Sequence, residues 1–420
     1  MKFMDDTIVK GNVVNDRLRN EGEKYFYKTY NRFPVVFDHA DGVYIYDVGD
    51  KKYLDFGAGI SVCGLGYGNE LINYALKSQI DKGLLHISNL FYNEPAIEAA
   101  EKLTAVSEMD KVFFTNSGTE AIEGALKIAR RYNYNKGKKN SEIIAMQGSF
   151  HGRSMGALSV TGKDHYREPF EPLVGGVRFA TYNDLDSVKA LVNENTGAII
   201  LETFQGEGGI YPATEEFLKG VRQICDDNDL ILIFDEIQCG MGRTGYMFAW
   251  QEFGVKPDVL TVAKALGNGV PVGAFLASGK AADAMKPGDH GSTYGGNPLV
   301  CAVASAVLDV FKEADIPGHA KEMGVHLWKA LDEIKEKYPE LVVDHRGKGL
   351  IQGLEFAADV KVSDIVSKAL LEQQLILISA EHNTIRFVPP LVIEREHVEA
   401  MKEKLMTVLD GMSEGTESAE

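Results

Sequence analysis

Two charged residues in this chain each end an apolar run, and both types can do chemistry there. In "DVLTVAKALGNGVP" (258–271), small and β-branched residues lead straight to Lys264, and a glycine loop follows. Such a run reads as a short strand in the middle of a sheet. Lysine is rarely buried, because its ammonium loses hydration. One reading has the side chain snorkelling from the strand end to solvent. The other places the amine in a cleft, where burial lowers its pKa and makes it a nucleophile toward carbonyl groups. In "LILIFDEIQ", Asp235 closes five apolar residues. A carboxylate there is costly without a compensating cation or hydrogen bond. A helix cap, a buried ion pair, or an acid that keeps a pyridine nitrogen protonated would each supply one.

Three glycine-bearing stretches surround these residues. "FFTNSGTEAIEGALKIAR" reads as strand, small-residue turn and amphipathic helix. The free N–H groups of that helix start, with the hydroxyls of Ser117 and Thr119, would form a phosphate cradle. An ordinary capped helix has the same pattern, and without a P-loop lysine no nucleoside triphosphate is implied. "GSFHGRS" puts Phe150, His151 and Arg153 in one loop, where an aromatic ring could stack on a flat cofactor and a guanidinium could clamp a carboxylate. "CGMGRTG" aligns Gly240, Gly242 and Gly245 with a dinucleotide-binding pattern. That pattern requires a helix opening at the glycines and a carboxylate ending a second strand, and neither follows here. The ten histidines show no ligand spacing, so no metal is expected.

The elements that must position these residues alternate. Strands are expected at "KVFFTN", "EIIAMQ", "GAIILE", "LILIFDE", "VLTVA" and "VGAFLAS", with helices over 119–136 and 214–228 between them. Apolar strands alternating with amphipathic helices predict an α/β fold with a mostly parallel central sheet flanked by helices. Ligands in such sheets bind beyond the carboxyl ends of the strands. From about residue 310 the order changes to helix, short strands ("VVDHRGKGLIQGLEF", "LILISA", "TIRFVPPLVI") and a last helix, which predicts a smaller α+β domain joined by the N-terminal strands around "GVYIYDVGDKKYLDF". The expected division is a large domain over 61–309 and a small one from 1–60 and 310–420.

Composition narrows the partners. The 420 residues carry 44 Lys and Arg against 61 Asp and Glu, a formal charge of −17. That balance argues against nucleic acid and anionic membrane surfaces as main partners. Cys63, Cys225, Cys239 and Cys301 have no paired spacing and read as core or loop thiols of a reducing cytoplasm. No signal peptide or membrane-length run is seen. The polar acidic end "DGMSEGTESAE" reads as a frayed tail.

Taken in order, "NSGTEA…ALKIAR", "SFHGRS", "ETFQGEGG", "FDEIQCGMGRTG", "TVAKALGNGVPVGA" and "GDHGSTYGGNP" resemble the class III, pyridoxal-phosphate-dependent aminotransferases over about residues 30–405. The resemblance implies the fold type I architecture of pyridoxal-phosphate-dependent transferases. It implies that Lys264 bonds to the cofactor aldehyde and later shuttles a proton, while Asp235 pairs with the ring nitrogen. Gln238 would bond the ring hydroxyl, Phe150 would stack on the ring, and Ser117, Gly118 and Thr119 would hold the phosphate. Ser292 and Thr293 match residues lent to the neighbouring subunit's site, so a homodimer with shared active sites is implied. Arg153 matches the arginine for the substrate carboxylate far from the reacting amine. Arg386 matches the one for the α-carboxylate of glutamate, and Glu207 the acid that pairs with Arg386 otherwise.

"LLHISNLFYNEP", "KPGDHGSTYGGNPLVCA" and "IRFVPPLVI" most resemble the branch that moves the terminal amino group of N-acetylornithine to 2-oxoglutarate in arginine biosynthesis. Ornithine, succinylornithine and 4-aminobutyrate remain alternative donors. A non-catalytic dinucleotide-binding protein remains the remote alternative, should Lys264 face solvent. Two departures bear on the donor. "GYGNE" (66–70) stands where many relatives carry a Gly-His-x-His-Pro segment, and many have an asparagine where Ile122 or Cys63 stands.

Overall fold

The computed structural model describes residues 2–417. Near the N-terminus, β1 (Phe37–Asp41), β2 (Tyr44–Asp47) and β3 (Lys52–Asp55) pair antiparallel. All six apolar runs then form strands. These are β4 (Lys111–Thr115), β5 (Glu142–Met146), β7 (Thr196–Glu202), β10 (Ile231–Asp235), β11 (Val259–Val262) and β12 (Gly273–Ala277). A further strand, β6 (Val177–Ala180), joins at the sheet edge. Its "VRFA" has no apolar run because an edge strand needs none: three of its four residues stay partly or fully exposed. The seven-stranded order is β4-β12-β11-β10-β7-β5-β6.

Every neighbouring pair in that sheet is parallel except the two made by β12, which runs antiparallel to both β11 and β4. All residues of β7 and β10 are buried, as strands covered on both faces require. Helix Gly118–Asn135 packs on β11 and β12. Two short strands, β8 (Phe204–Gln205) and β9 (Tyr211–Pro212), pair across a glycine-rich loop beyond β7.

In the C-terminal third, β13 (Val342–Lys348), β14 (Ile351–Phe356), β16 (Ile378–Ala380) and β17 (Thr384–Phe387) form an antiparallel sheet ordered β13-β14-β17-β16. Strand β15 (Leu375–Ile376) leaves it and pairs parallel with β3, through Leu375 opposite Leu54. The N- and C-terminal segments thus share a sheet.

Two expectations fail. The apolar "TIRFVPPLVI" stops being strand at Phe387, because Pro389 and Pro390 have no N–H to give a ladder. The acidic tail is not frayed from Asp410. Helix Arg395–Glu417 runs through it, with Val408 and Leu409 buried and Met412 packed on the core. Residues 418–420 of that tail lie outside the described ones. No helix among the described residues is long and apolar enough to cross a membrane.

Candidate active site

Three strand ends and one helix start meet around a cavity of about 330 Å³, a volume ordinary for small-molecule sites. Lys264, Asp235, Gln238, Phe150, Glu207, Ser117, Gly118 and Thr119 all line it. Lys264 follows β11 and starts a one-turn 3₁₀ helix, Lys264–Leu266, with φ 48°, a left-handed conformation costing about 1 kcal/mol for a side-chain-bearing residue. Burial, with the Arg386 cation beside it, pulls its amine down to about 8 against the opposing pull of Glu207, Asp235 and Glu202. Because Lys264 lines this cavity among Asp235, Glu202 and Glu207, its solvent-facing reading is set aside.

Asp235, at the end of β10, is 4% exposed and bonded at both carboxylate oxygens. Its Oδ2 meets His151 Nδ1 at 2.7 Å, and its Oδ1 accepts the Ile237 N–H at 3.0 Å and the Thr261 hydroxyl at 3.2 Å. Burial depresses the imidazole, but the Asp235 bond and charge, with Glu202 adding, outweigh it and raise His151 above its usual value. Glu202, at the end of β7, accepts the N–H groups of Phe150 (2.9 Å) and Gly206 (3.2 Å). Burial lifts its carboxyl to about 7, against the His151 cation.

At the other side, helix Gly118–Asn135 begins at the Ser117 cap, whose Oγ accepts the Glu120 N–H at 3.3 Å. The Thr119 hydroxyl is held by Ser154, at 2.7 Å between oxygens. With both hydroxyls engaged, the cradle rests first on the N–H groups of the opening turn, which have no carbonyl within the helix to bond.

Arg386, on β17, is 1% exposed. Its Nη1 donates at 2.9 Å to Glu207 Oε1 and at 2.9 Å to Gln238 Oε1. Burial pushes the Glu207 carboxyl up, but Arg386, followed by Lys264 and Lys163, outweighs it and holds Glu207 below its usual range. Gln238 thus touches an arginine rather than standing free beside a ring.

Four of the residues singled out in the sequence do not line this cavity, and one of them, Arg386, meets it through Glu207 and Gln238. Arg153 is exposed, with its guanidinium 3.7 Å from the centre of the Tyr166 ring and 5.5 Å from that of Phe150. Ser292 bonds Asn116, a cavity residue, at 3.4 Å, and caps Gly295 N–H at 2.9 Å. Thr293 is exposed. Of the departures, Ile122 is buried core beneath the helix start. "GYGNE" does structural work, since Tyr67 OH donates to Asp55 at 2.7 Å and Asn69 caps helix Glu70–Asp81.

The sequence reading missed His151 as the partner of Asp235, and it missed Glu202, Thr261 and Val62. Val62 lines the cavity just after Ala58–Ser61, four successive residues in left-handed conformation held by Asp55, whose Oδ1 accepts two N–H groups at 2.8 and 3.0 Å. Only the apolar run into Asp55 signalled anything there.

The residues fit a phosphorylated pyridine aldehyde. A buried carboxylate backed by a histidine suits a pyridinium, an amine near neutrality suits an aldehyde, and a helix start suits a phosphate. A dinucleotide does not fit "CGMGRTG", because no helix opens at its glycines; only the one-turn Trp250–Phe253 follows.

Comparison with known proteins agrees. The family model "Aminotransferase class-III" matches residues 25–409. An acetylornithine aminotransferase of Clostridium acetobutylicum is 48% identical over 90% of this chain and 97% of its own. Among solved structures, an N-acetylornithine aminotransferase from Stenotrophomonas maltophilia superposes with TM-score 0.81 at 34% identity, covering 94% of this chain and 99% of that one. An ornithine aminotransferase from Toxoplasma gondii, described with partial occupancy of PLP at its active site, superposes with TM-score 0.90 at 30% identity over 96% and 95%. This chain belongs to the class III aminotransferases, enzymes that move amino groups with pyridoxal 5′-phosphate as cofactor.

Proposed function

We propose that this enzyme transfers the terminal amino group of N-acetylornithine to 2-oxoglutarate, a step of arginine biosynthesis. The observation that carries the reading is the Arg386–Glu207 pair, whose Glu207 lines the Lys264 cavity. Glutamate has a carboxylate beside its reacting carbon and needs an arginine there. Acetylornithine has none beside its terminal amine and would leave that arginine buried and unpaired, a cost of several kcal/mol that a nearby acid removes. A second observation favours an acylated donor over free ornithine: the chain is 48% identical to an acetylornithine aminotransferase and 30% identical to an ornithine aminotransferase.

When bound, pyridoxal 5′-phosphate supplies an aldehyde that accepts the amino group and a ring that withdraws electrons from the reacting carbon. Lys264 would hold it covalently between turnovers. Once displaced, its amine, near neutrality by burial, would move the proton at the substrate carbon. Asp235, oriented by His151, would keep a negative charge for the ring nitrogen. Phe150 would cover one ring face, Gln238 would lend a donor to the ring hydroxyl, and Ser117, Gly118 and Thr119 would grip the phosphate. Arg153 would swing from Tyr166 to take the distal carboxylate.

The exposed Leu90, Phe91, Tyr92 and Tyr294 adjoin the Ser292–Thr293 loop, which Asn89 ties down by bonds to the Ser292 and Gly295 carbonyls at 3.0 and 2.8 Å. We infer that a second copy covers this apolar face and receives Ser292 and Thr293 at its own cofactor site. The proposed large unit is 61–309, with 1–60 and 310–420 as the small one. The four free thiols suit a cytoplasmic protein.

Assaying N-acetylornithine, N-succinylornithine, ornithine and 4-aminobutyrate against 2-oxoglutarate tests the donor. Acetylornithine is expected to exceed ornithine in kcat/KM at least about tenfold, and a preference for ornithine or 4-aminobutyrate overturns the reading.

A further inference from the structure

The loop between β8 and β9 carries Glu207 between Gly206 on one side and Gly208 and Gly209 on the other. Neither glycine beside Glu207 could carry a side chain: a Cβ on Gly206 would meet the Gln238 carboxamide at 2.0 Å, and one on Gly208 the Gly148 carbonyl at 2.6 Å. Such a loop is snugly packed yet has little stiffness of its own. Its position must come from outside.

Two cations supply it. Lys163, whose side chain is 2% exposed, donates to the Glu207 carbonyl at 3.0 Å and pairs with Glu381 at 3.1 Å. Glu381 in turn donates its N–H to the same carbonyl at 3.2 Å. Arg346 donates to the Gly209 carbonyl at 2.7 Å and to the Thr384 hydroxyl at 3.1 Å. Glu381 and Thr384 lie in the turn and strand of the β16–β17 hairpin, in which Arg386 pairs with Ile378. The main chain of Glu207 is thus bolted to the element that carries Arg386, while its carboxylate bonds Arg386 itself.

We propose that Lys163 is a positioning residue that fixes the reach of Glu207 to Arg386, and so sets how the site divides itself between substrates with and without a carboxylate beside the reacting carbon. The proposal rests on the Glu207–Arg386 reading above. Lys163 touches neither reacting atoms nor cofactor; it acts through the Glu207 main chain.

The test is Lys163→Met in the holoenzyme, with each half-reaction followed separately by stopped-flow absorbance of the cofactor. Apparent affinity for N-acetylornithine is expected to fall about tenfold, the worth of one charge-assisted hydrogen bond, with the limiting rate kept. Affinity for glutamate should stay level or improve. Lys163→Gln, which keeps a donor for the Glu207 carbonyl and removes the charge, should recover part of the acetylornithine loss, and it carries the test if the Met variant does not fold. Unchanged affinities, or equal losses in both half-reactions, overturn the proposal. Arg386→Ala separates the two failures: if it harms both half-reactions equally, the underlying division of labour is wrong, whereas a selective glutamate loss beside a silent Lys163→Met condemns Lys163 alone.

Discussion

The floor of the cavity and its rim hold charge in opposite ways. On the floor, Asp235 and Glu202 end neighbouring buried strands, where they are paired in register, and their partners are main-chain N–H groups, a threonine and His151. Nothing there can move without disturbing β7 and β10. On the rim, Glu207 and Arg386 sit on a glycine loop and an antiparallel hairpin, and each is answered chiefly by the other. A bonded network in a parallel sheet preorganises one geometry. An ion pair made by two side chains across two elements can have two geometries. The fixed region suits the cofactor, which is the same in both half-reactions, and the switching region suits substrates that differ.

The contrast can be broken first at Lys264. Lys264→Ala should lower turnover by about four orders of magnitude, the upper range for a positioned acid–base group, while the floor still retains cofactor. Borohydride should then fail to attach cofactor to the chain, as mass spectrometry would reveal; near-normal turnover would remove Lys264 from the chemistry. Next, Asp235→Asn should cost about 10²–10⁴ in kcat, since breaking a buried pair is worth about 3–5 kcal/mol. Cofactor retention by dialysis should change far less, and an unchanged kcat would make the carboxylate merely structural. At the rim the signature differs. Arg386→Ala should weaken the glutamate half-reaction about 10–100-fold and largely spare the other, and Glu207→Ala should do the reverse. Arg153→Ala should damage both.

A pH experiment sharpens the floor side. Because the Lys264 amine is pulled down to about 8, the fraction able to attack an aldehyde rises about tenfold per pH unit below that value and levels off above it. Capture of added cofactor by cofactor-free enzyme should therefore plateau above about pH 8, where an ordinary lysine would keep accelerating toward about pH 10.4. The smallest effect concerns assembly. Mixed dimers of Lys264→Ala and Thr293→Ala chains should regain part of the activity that each lacks alone, and an active monomer by light scattering would contradict the shared site.

The floor was legible in the sequence and the rim only partly. A charged residue closing an apolar run, as at Lys264 and Asp235, announces itself because burial makes it costly. His151 does not, since its meaning depends on a partner 84 positions away across two strand ends. Lys163 gives no local signal either, because its worth comes from a carbonyl 44 positions on and a hairpin far beyond that. Arg153 was visible as a clamp, yet its present place over Tyr166 follows from loop geometry that spacing does not encode. The same holds for β6, whose exposed edge leaves no hydrophobic period to read.

The antiparallel strand β12 has one more consequence. It lies between β4 and β11, which run parallel to each other, so the turn bearing Ser117–Thr119 and the turn bearing Lys264 leave the same edge of the sheet two strand widths apart, about 10 Å. That gap is a gauge cut in main-chain hydrogen bonds, and no side-chain replacement can file it down. It could change only by inserting or deleting a whole strand, in steps of about 5 Å. Evolution can retune the substrate end of this enzyme in small increments, but the length of molecule it can grip between phosphate and aldehyde comes in discrete sizes.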